Sequence, residues 1–221
     1  MKRKITIGNS DTAANGWTLS SWKLSPAEHK TNYKEKLNGD GSWDLSTALT
    51  DGIIKYKDRT FTATLECSEG DRMSREMKIR QMINQLDGML EDIELPDDSF
   101  HHITGRIHIV KEYNDLAHGA VTVTATCEPW KYANAETVIA LTAEAETRVA
   151  HLVNNGRRAI VPVLRVTGDN ALVSIEYQGL TVELTAGAYQ WPELLLTPGD
   201  HKITYSGTGR VSITYREAVL E

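Results

Sequence analysis

The chain has 221 residues, which is enough for one large or two small domains. Its 24 Lys and Arg residues against 30 Asp and Glu residues give a formal net charge of −6, which excludes the strongly basic surface of a typical nucleic-acid-binding protein. Hydrophobic residues make up 40% of the chain, with 5 Trp and 8 Tyr, so the composition also excludes wholesale disorder.

The sequence offers neither a secretory signal nor a membrane span. The basic start, residues 1–4, is followed by the polar residues 8–10 instead of a long apolar run. The longest apolar stretch, residues 159–164, is far shorter than the roughly 18 residues of a membrane helix. Cys67 and Cys127 are expected to stay reduced, as is usual for a protein made in the cytoplasm.

After about 50 residues with little strand pattern, residues 59–67 alternate strictly between apolar and polar side chains. Phe61, Ala63, Leu65 and Cys67 fall on one face, and threonines dominate the other. A period of two with one apolar face predicts a half-buried strand.

One amphipathic helix is predicted next. It begins near Asp71 or Ser74, either of which can cap free backbone N–H groups, and ends near Asp87 before Gly88. Its predicted apolar face has the 3.6-residue period of a helix packed on one side. That face consists of Ile79, Met82, Ile83 and Leu86, while Arg75, Lys78, Arg80 and Gln81 are predicted to point elsewhere.

Residues 103–113 and 119–128 alternate again and are predicted to form a hairpin joined by the loop 114–118. Residues 133–150, rich in Ala, Glu and Thr, could be a linker, a short helix or an edge strand. We place the domain boundary near Ala135, giving domains 1–135 and 136–221.

The second domain shows short alternating runs without a helical period. The runs are residues 161–166, 172–177, 180–184, 202–205 and 210–215. Turn-forming residues separate them, including 168–170 and 206–209. Strands at this spacing predict a β-sandwich, so the fold class is mainly β with one main helix (α+β).

Few residues suggest catalysis or metal binding. His102 and His108 would share a strand face about 20 Å apart, too far for one ion, so with His101 they are interpreted as a solvated face. Residues 38–44 lack the carboxylates of a calcium loop and are interpreted as a turn. The acidic residues 91–98 are interpreted as a solvated loop. No enzyme, cofactor or metal is therefore expected.

Three aromatic residues of the second domain leave two interpretations open. Tyr177, Tyr189 and Trp191 could stack on sugar rings if they are exposed, or they could fill the core or an interface. Tyr189 and Trp191 are kept as candidate carbohydrate contacts.

Several short motifs occur in an order that resembles one known family. In the first half they are Pro26-x-x-His29-Lys30-Thr31-x-Tyr33, Asn38-Gly39-Asp40-Gly41-x-x-Asp44-Leu45, Tyr56-x-x-Arg59, Gly105-Arg106 and Glu128-Pro129-Trp130-Lys131-Tyr132. In the second half they are Asn154-Asn155-Gly156, Pro162 before Val163-Leu164-Arg165-Val166, Leu194-Leu195-Leu196-x-Pro198-Gly199 and Val211-Ser212-Ile213-x-Tyr215-Arg216-Glu217. Over essentially the whole chain, this order resembles the distal tail protein (Dit) family of long-tailed, siphovirus-type phages.

The resemblance implies a structural protein of the virion tail tip, assembled in the host bacterial cytoplasm. It implies a tail-tube-like N-terminal β-domain packed by a helix and a galectin-like C-terminal β-sandwich. Six N-terminal domains would form a ring around the DNA channel. The implied partners are further copies in a homo-hexamer, the tail tube protein and the tail-associated hub or baseplate protein. Neither specific nucleic-acid binding nor membrane insertion is implied.

Three tryptophans in the first 50 residues bear on such a ring. A ring closed by a heterologous contact needs two different patches on each subunit. We interpret the first 50 residues as an arm that docks on the neighbouring subunit, with Trp17, Trp22 and Trp43 as anchors.

Other function classes stay open at this level. One is a carbohydrate-binding β-sandwich module carried on a virion, and another is a cell-wall hydrolase of the tail tip, which would need a buried acid beside a second carboxylate. Another minor tail protein or a tail-tube subunit is a further alternative.

Overall fold

The computed structural model describes residues 4–50 and 52–221, and the chain divides into two compact units. The first unit ends at Lys131 and the second is Tyr132–Glu221. The division falls a few residues before Ala135, where the sequence pattern placed the boundary. Each unit has its own hydrophobic core.

The first unit is built around one antiparallel sheet. Its strands are β1 (Thr6–Ile7), β2 (Ser10–Asp11), β3 (Thr18–Leu24), β6 (Arg59–Cys67), β7 (Leu90–Leu95), β8 (Asp98–Asn114) and β9 (Gly119–Ala133). They lie side by side in the order β2-β1-β7-β8-β9-β6-β3. Two further strands, β4 (Tyr33–Glu35) and β5 (Ser42–Asp44), pair only with each other.

The centre of this sheet has one apolar and one threonine-rich face. Phe61 lies opposite Ala125 and Leu65 opposite Val121 in the β6–β9 register, and all four are buried. The intervening positions pair threonine with threonine, as at Thr62 and Thr124. The alternation predicted for residues 59–67 and 119–128 is therefore confirmed.

The predicted helix, α1, spans Arg72–Leu86, and the Asp71 side chain caps it by accepting from the Ser74 N–H at 2.7 Å. Ile79, Met82 and Leu86 are buried, in agreement with the predicted apolar face. They join the core formed by the buried face of the sheet. Within the described ranges, no helix has the length and apolar character needed to cross a membrane.

The helix prediction is wrong for Arg75, which was expected to point away from the apolar face. Its side chain is buried. The guanidinium donates to the carbonyl oxygens of Gly70 at 2.5 Å, Asp115 at 2.9 Å and Leu116 at 3.2 Å. Position 75 lies one helical turn before Ile79, so it continues the buried stripe. Arg75 thereby joins the start of the helix to the loop between β8 and β9.

The second unit contains one six-stranded sheet. Its strands are β10 (Thr137–Ala143), β11 (Arg148–Asn154), β12 (Val163–Tyr177), β13 (Leu180–Thr185), β14 (Gly187–Gln190) and β15 (Gly199–Tyr215). The long strands β12 and β15 pair in the middle; β10 and β11 flank β15, while β13 and β14 flank β12. A short last strand, β16, is Ala218–Val219. Of the three interpretations of residues 133–150, the edge strand is the one observed, as β10.

Two predicted turns are wrong, because the chain passes through them without leaving the sheet. Residues 168–170 lie within β12 and residues 206–209 lie within β15. Residues 168–171 form an irregularity in the β12–β15 register. Gly207 has φ +120°, and a Cβ there would collide with the backbone oxygen of Leu172. Glycine therefore lets the two long strands bend together, and the second unit is one curled sheet.

Candidate subunit interface

Between β3 and β6 the chain leaves the sheet of the first unit and returns to it. The arm predicted for the first 50 residues is therefore corrected, because β1, β2 and β3 belong to the sheet. From here on, residues 26–57 are called the arm, and the other described residues of the first unit are called the body. The arm begins where the Ser25 N–H donates to the Thr60 carbonyl at 2.9 Å, so both of its ends are fixed to the start of β6.

The two legs of the arm run antiparallel. The Lys57 N–H donates to the Glu28 carbonyl at 2.9 Å, and the Lys30 N–H donates to the Lys55 carbonyl at 2.8 Å. Tyr56 packs edge-on against Trp130 of β9, with 5.3 Å between ring centroids. Backbone hydrogen bonds hold the legs together, and this aromatic contact fixes their base on the body.

The far part of the arm is the β4–β5 hairpin. Residues 36–41 form its turn, where Gly41 has φ +77°. Residues 38–41 thus lie in a turn, as the sequence indicated, and residues 42–44 form β5. Trp43 pairs directly with Lys34 across the hairpin. The Ser46 side chain and backbone N–H hydrogen-bond the Asp44 carboxylate and hold its pKa below the ordinary value.

The arm exposes large apolar side chains to an unusual degree. None of its described residues is buried. Seven large hydrophobic residues in it are substantially exposed: Tyr33, Leu37, Trp43, Leu45, Leu49, Ile53 and Ile54. Leu37 and Leu49 are 99% and 97% exposed. A concentration of exposed apolar residues on a projecting segment is typical of a protein–protein interface.

The three tryptophans proposed as anchors occupy different environments. Trp17 is 2% exposed and belongs to the core of the body, so its assignment as an interface anchor is wrong. Trp22 is half-buried and packs against the same core. Trp43, at 60% exposed, presents its ring to solvent from the hairpin. The sequence pattern did not identify Leu37 or Leu49, although both are isolated apolar residues in a stretch without periodicity.

The aromatic residues of the second unit are positioned mainly by packing. Tyr177 is buried, and its hydroxyl lies 2.8 Å from His201 Nδ1. Tyr189 and Trp191 are partly buried against the core of this unit, and the Tyr189 hydroxyl lies 3.1 Å from Thr185 Oγ1. Part of the surface of each candidate sugar-stacking ring is thus covered by other residues of the unit.

The histidines of β8 do not form one solvated face. His108 is exposed, with Nδ1 3.0 Å from Asp87 Oδ1, but His102 is buried, which corrects its assignment to solvent. The side chains of His101 and Asp98 pair at 2.9 Å. In the parts of the chain that the structure describes, no three His, Cys, Asp or Glu side chains are grouped to hold a metal ion.

The acidic stretch 91–98 is also more structured than a solvated loop. Residues 91–95 belong to β7, and Asp98 contacts both His101 and Lys131. Burial alone would raise the pKa of Asp98, but the hydrogen bonds from these two side chains outweigh burial and lower it. Asp98 is therefore an ionised structural group that joins the start of β8 to the end of β9.

Comparison with known proteins identifies the fold. No protein-family model and no curated protein sequence matches the chain. Among solved structures, the chain is similar to Dit (gp 19.1) of phage SPP1, which is described as a paradigm of the hub adsorption apparatus in phages infecting Gram-positive bacteria. The match covers 97% of this chain and 98% of the SPP1 Dit chain. The TM-score is 0.67 at 13% sequence identity. A chain of the phage p2 baseplate matches over 96% of this chain with a TM-score of 0.42 at 6% identity. The resemblance indicated by the motif order is thus confirmed, and the chain has the fold of the SPP1 distal tail protein.

Proposed function

We propose that this protein is a structural component of a phage tail tip. The observation that carries the proposal is the fold likeness to SPP1 Dit, which extends over nearly the whole of both chains. A match of this coverage includes both compact units. The proposed role is assembly and not catalysis.

In this role, copies of the chain form a ring that joins the tail tube to the hub or baseplate around the DNA channel. The ring is a homo-hexamer, its other partners are the tail tube protein and a hub or baseplate protein, and its place is the virion. The second unit is the galectin-like domain at the periphery. The formal net charge of −6 suits a ring through which DNA passes, because an acidic protein does not retain DNA.

The arm is the element proposed to join neighbouring subunits, and its partner is a second copy of the chain. Its exposed apolar side chains have no cover within the described part of the unit. In a cyclic ring, each subunit offers one patch to the next and receives a different patch from the previous one. A projecting arm with a tryptophan near its tip is well suited to be the offered patch.

The mass of the protein in solution tests this proposal. Light scattering over a concentration series, at low and moderate salt, is expected to show a species near six times the 24.6 kDa chain. Electron microscopy of the same samples should show rings.

Trp43→Ala should shift the mass toward the monomer at a given concentration. Phe100→Ala is the matched control, because Phe100 is an aromatic residue that is 78% exposed in the body. A mass of 24.6 kDa at every concentration would contradict self-assembly, and equal effects of the two variants would contradict the assignment of the arm.

A further inference from the structure

Two arginines lie together on the open face of the second unit. Arg210 of β15 has Thr142 of β10 opposite it on one side and Thr167 of β12 on the other. Arg165 of β12 lies opposite Ser212 of β15. These five side chains belong to a shallow surface cavity of about 340 Å³.

The two arginines are diagonal neighbours in the sheet. Directly opposite residues on antiparallel strands have Cβ atoms about 4.5–5.5 Å apart, and diagonal neighbours are about 7–8 Å apart. Because arginine side chains are long, both guanidinium groups can therefore contact the same bound ligand. Such a pair is repulsive unless an anion lies between the charges.

Neither guanidinium is neutralised by the described residues. Both side chains are exposed, and the structure shows no hydrogen bond or ion pair from Arg165 or Arg210 to any described side chain. Other arginines of the same unit differ: Arg148 pairs with Glu144 at 2.5 Å, and Arg216 pairs with Glu136 at 3.0 Å. The lining of the cavity includes no carboxylate.

The donors around the cavity match one class of anion. Each guanidinium offers five N–H donors in a planar fork, and Thr142, Thr167 and Ser212 add three hydroxyl groups. A carboxylate has only two oxygens, whereas a phosphate presents three or four and can accept from both forks and from the hydroxyls.

We propose that the face formed by Arg165 and Arg210 binds a phosphate group of a ligand. The site goes beyond the structural role proposed above and does not depend on it. Arg165 and Arg210 make charge-assisted hydrogen bonds to the phosphate oxygens, and the three hydroxyl groups orient it. The ligand is inorganic phosphate or a phosphate monoester, because a diester presents only two non-bridging oxygens, as few as a carboxylate.

Calorimetric titration of the full chain with inorganic phosphate tests the site. The experiment uses about 0.15 M salt, where charges more than about 8 Å apart are largely screened. Phosphate should bind, and acetate should bind at least tenfold more weakly. Glycerol 3-phosphate, a monoester, should bind as inorganic phosphate does, whereas a glycerophosphodiester, with only two non-bridging oxygens, should bind as weakly as acetate.

Two double variants separate the site from general electrostatic attraction. Arg165→Gln with Arg210→Gln should weaken phosphate binding at least tenfold. Arg157→Gln with Lys202→Gln removes the same charge from two other exposed positions of this unit and should change binding less than twofold. Near-UV circular dichroism verifies that both variants are folded.

Three results would overturn the proposal. They are no phosphate binding by the unsubstituted protein, equal loss of binding in both double variants, and acetate binding as tight as phosphate binding. The last result would indicate a carboxylate ligand.

Discussion

In the body of the first unit, every second residue of β6 is buried, whereas the arm that leads into this strand buries none of its described residues. The body is held by a core that combines the sheet and α1. The arm is held by backbone hydrogen bonds between its legs and by the Tyr56–Trp130 contact. An isolated hairpin has marginal stability in water. The body therefore folds around its own core, whereas the apolar side chains of the arm stay exposed to solvent in the single chain.

The largest expected effect comes from the tryptophan of the core. Trp17→Ala should lower the free energy of unfolding of the first unit by about 3–5 kcal/mol, because it leaves a cavity where a fully packed ring was. Urea unfolding monitored by circular dichroism measures the change. A loss below about 1 kcal/mol would show that the body does not depend on this packing.

Arg75→Met should have the next largest effect. The variant keeps an apolar chain of similar length but leaves the carbonyl oxygens of Gly70, Asp115 and Leu116 without their donor. We expect a loss of about 2–4 kcal/mol. Arg72→Met is the matched control, because Arg72 is exposed at the start of the same helix. Equal losses in the two variants would contradict a structural role for the buried guanidinium.

The pH dependence of the free energy of unfolding should distinguish the body from the arm. Hydrogen bonds from Lys111 and Asn114 lower the pKa of Glu76 from 4.5 to about 2. Because the folded pKa is lowered, the stabilisation is present above pH 4.5 and is lost as the pH falls toward 2. Glu76→Gln should therefore flatten the decline of stability over this range.

Unfolding midpoints measured across the acid range test that expectation. Glu35→Gln is the control, since Glu35 is an exposed residue of the arm. An unchanged pH profile for Glu76→Gln, or the same flattening for Glu35→Gln, would contradict the assignment.

The smallest effect on stability is expected in the arm. Leu37 is 99% exposed, so Leu37→Ser should change the free energy of unfolding by less than about 0.5 kcal/mol. Leu65→Ser makes the same chemical change at a position that is fully buried in the body and should destabilise strongly. Urea unfolding of both variants at a concentration where the protein is monomeric compares the two regions directly. A similar loss in both would show that the arm contributes to a core.

The sequence predicted the elements whose side chains alternate in burial. The strand 59–67 and α1 were found because each has one apolar face that packs against the same core. Arg75 was misplaced, although it falls on the buried stripe, because a charged residue is rarely buried. Two of its three carbonyl partners, Asp115 and Leu116, lie 40 and 41 residues farther along the chain, so their positions could not be deduced from local pattern.

Glycine-rich segments and isolated tryptophans were harder to interpret. Gly168 and Gly207 have positive φ, as turn glycines do, but here they bend continuous strands. Trp17 and Trp43 both lie in a stretch without strong periodicity, so nothing in the sequence pattern separated the core residue from the exposed one. The sequence placed a candidate interface in this part of the chain, but only burial distinguishes the exposed Trp43 from the core residue Trp17.

Amide hydrogen exchange shows whether the arm is covered by a neighbouring subunit. The protein is measured at a concentration where light scattering shows the assembled form and again after dilution to the monomer. Amides in residues 26–57 should exchange at least tenfold more slowly in the assembled form, while those of β6 should exchange at the same rate in both. Equal exchange of the arm in the two forms would contradict its role as the subunit interface.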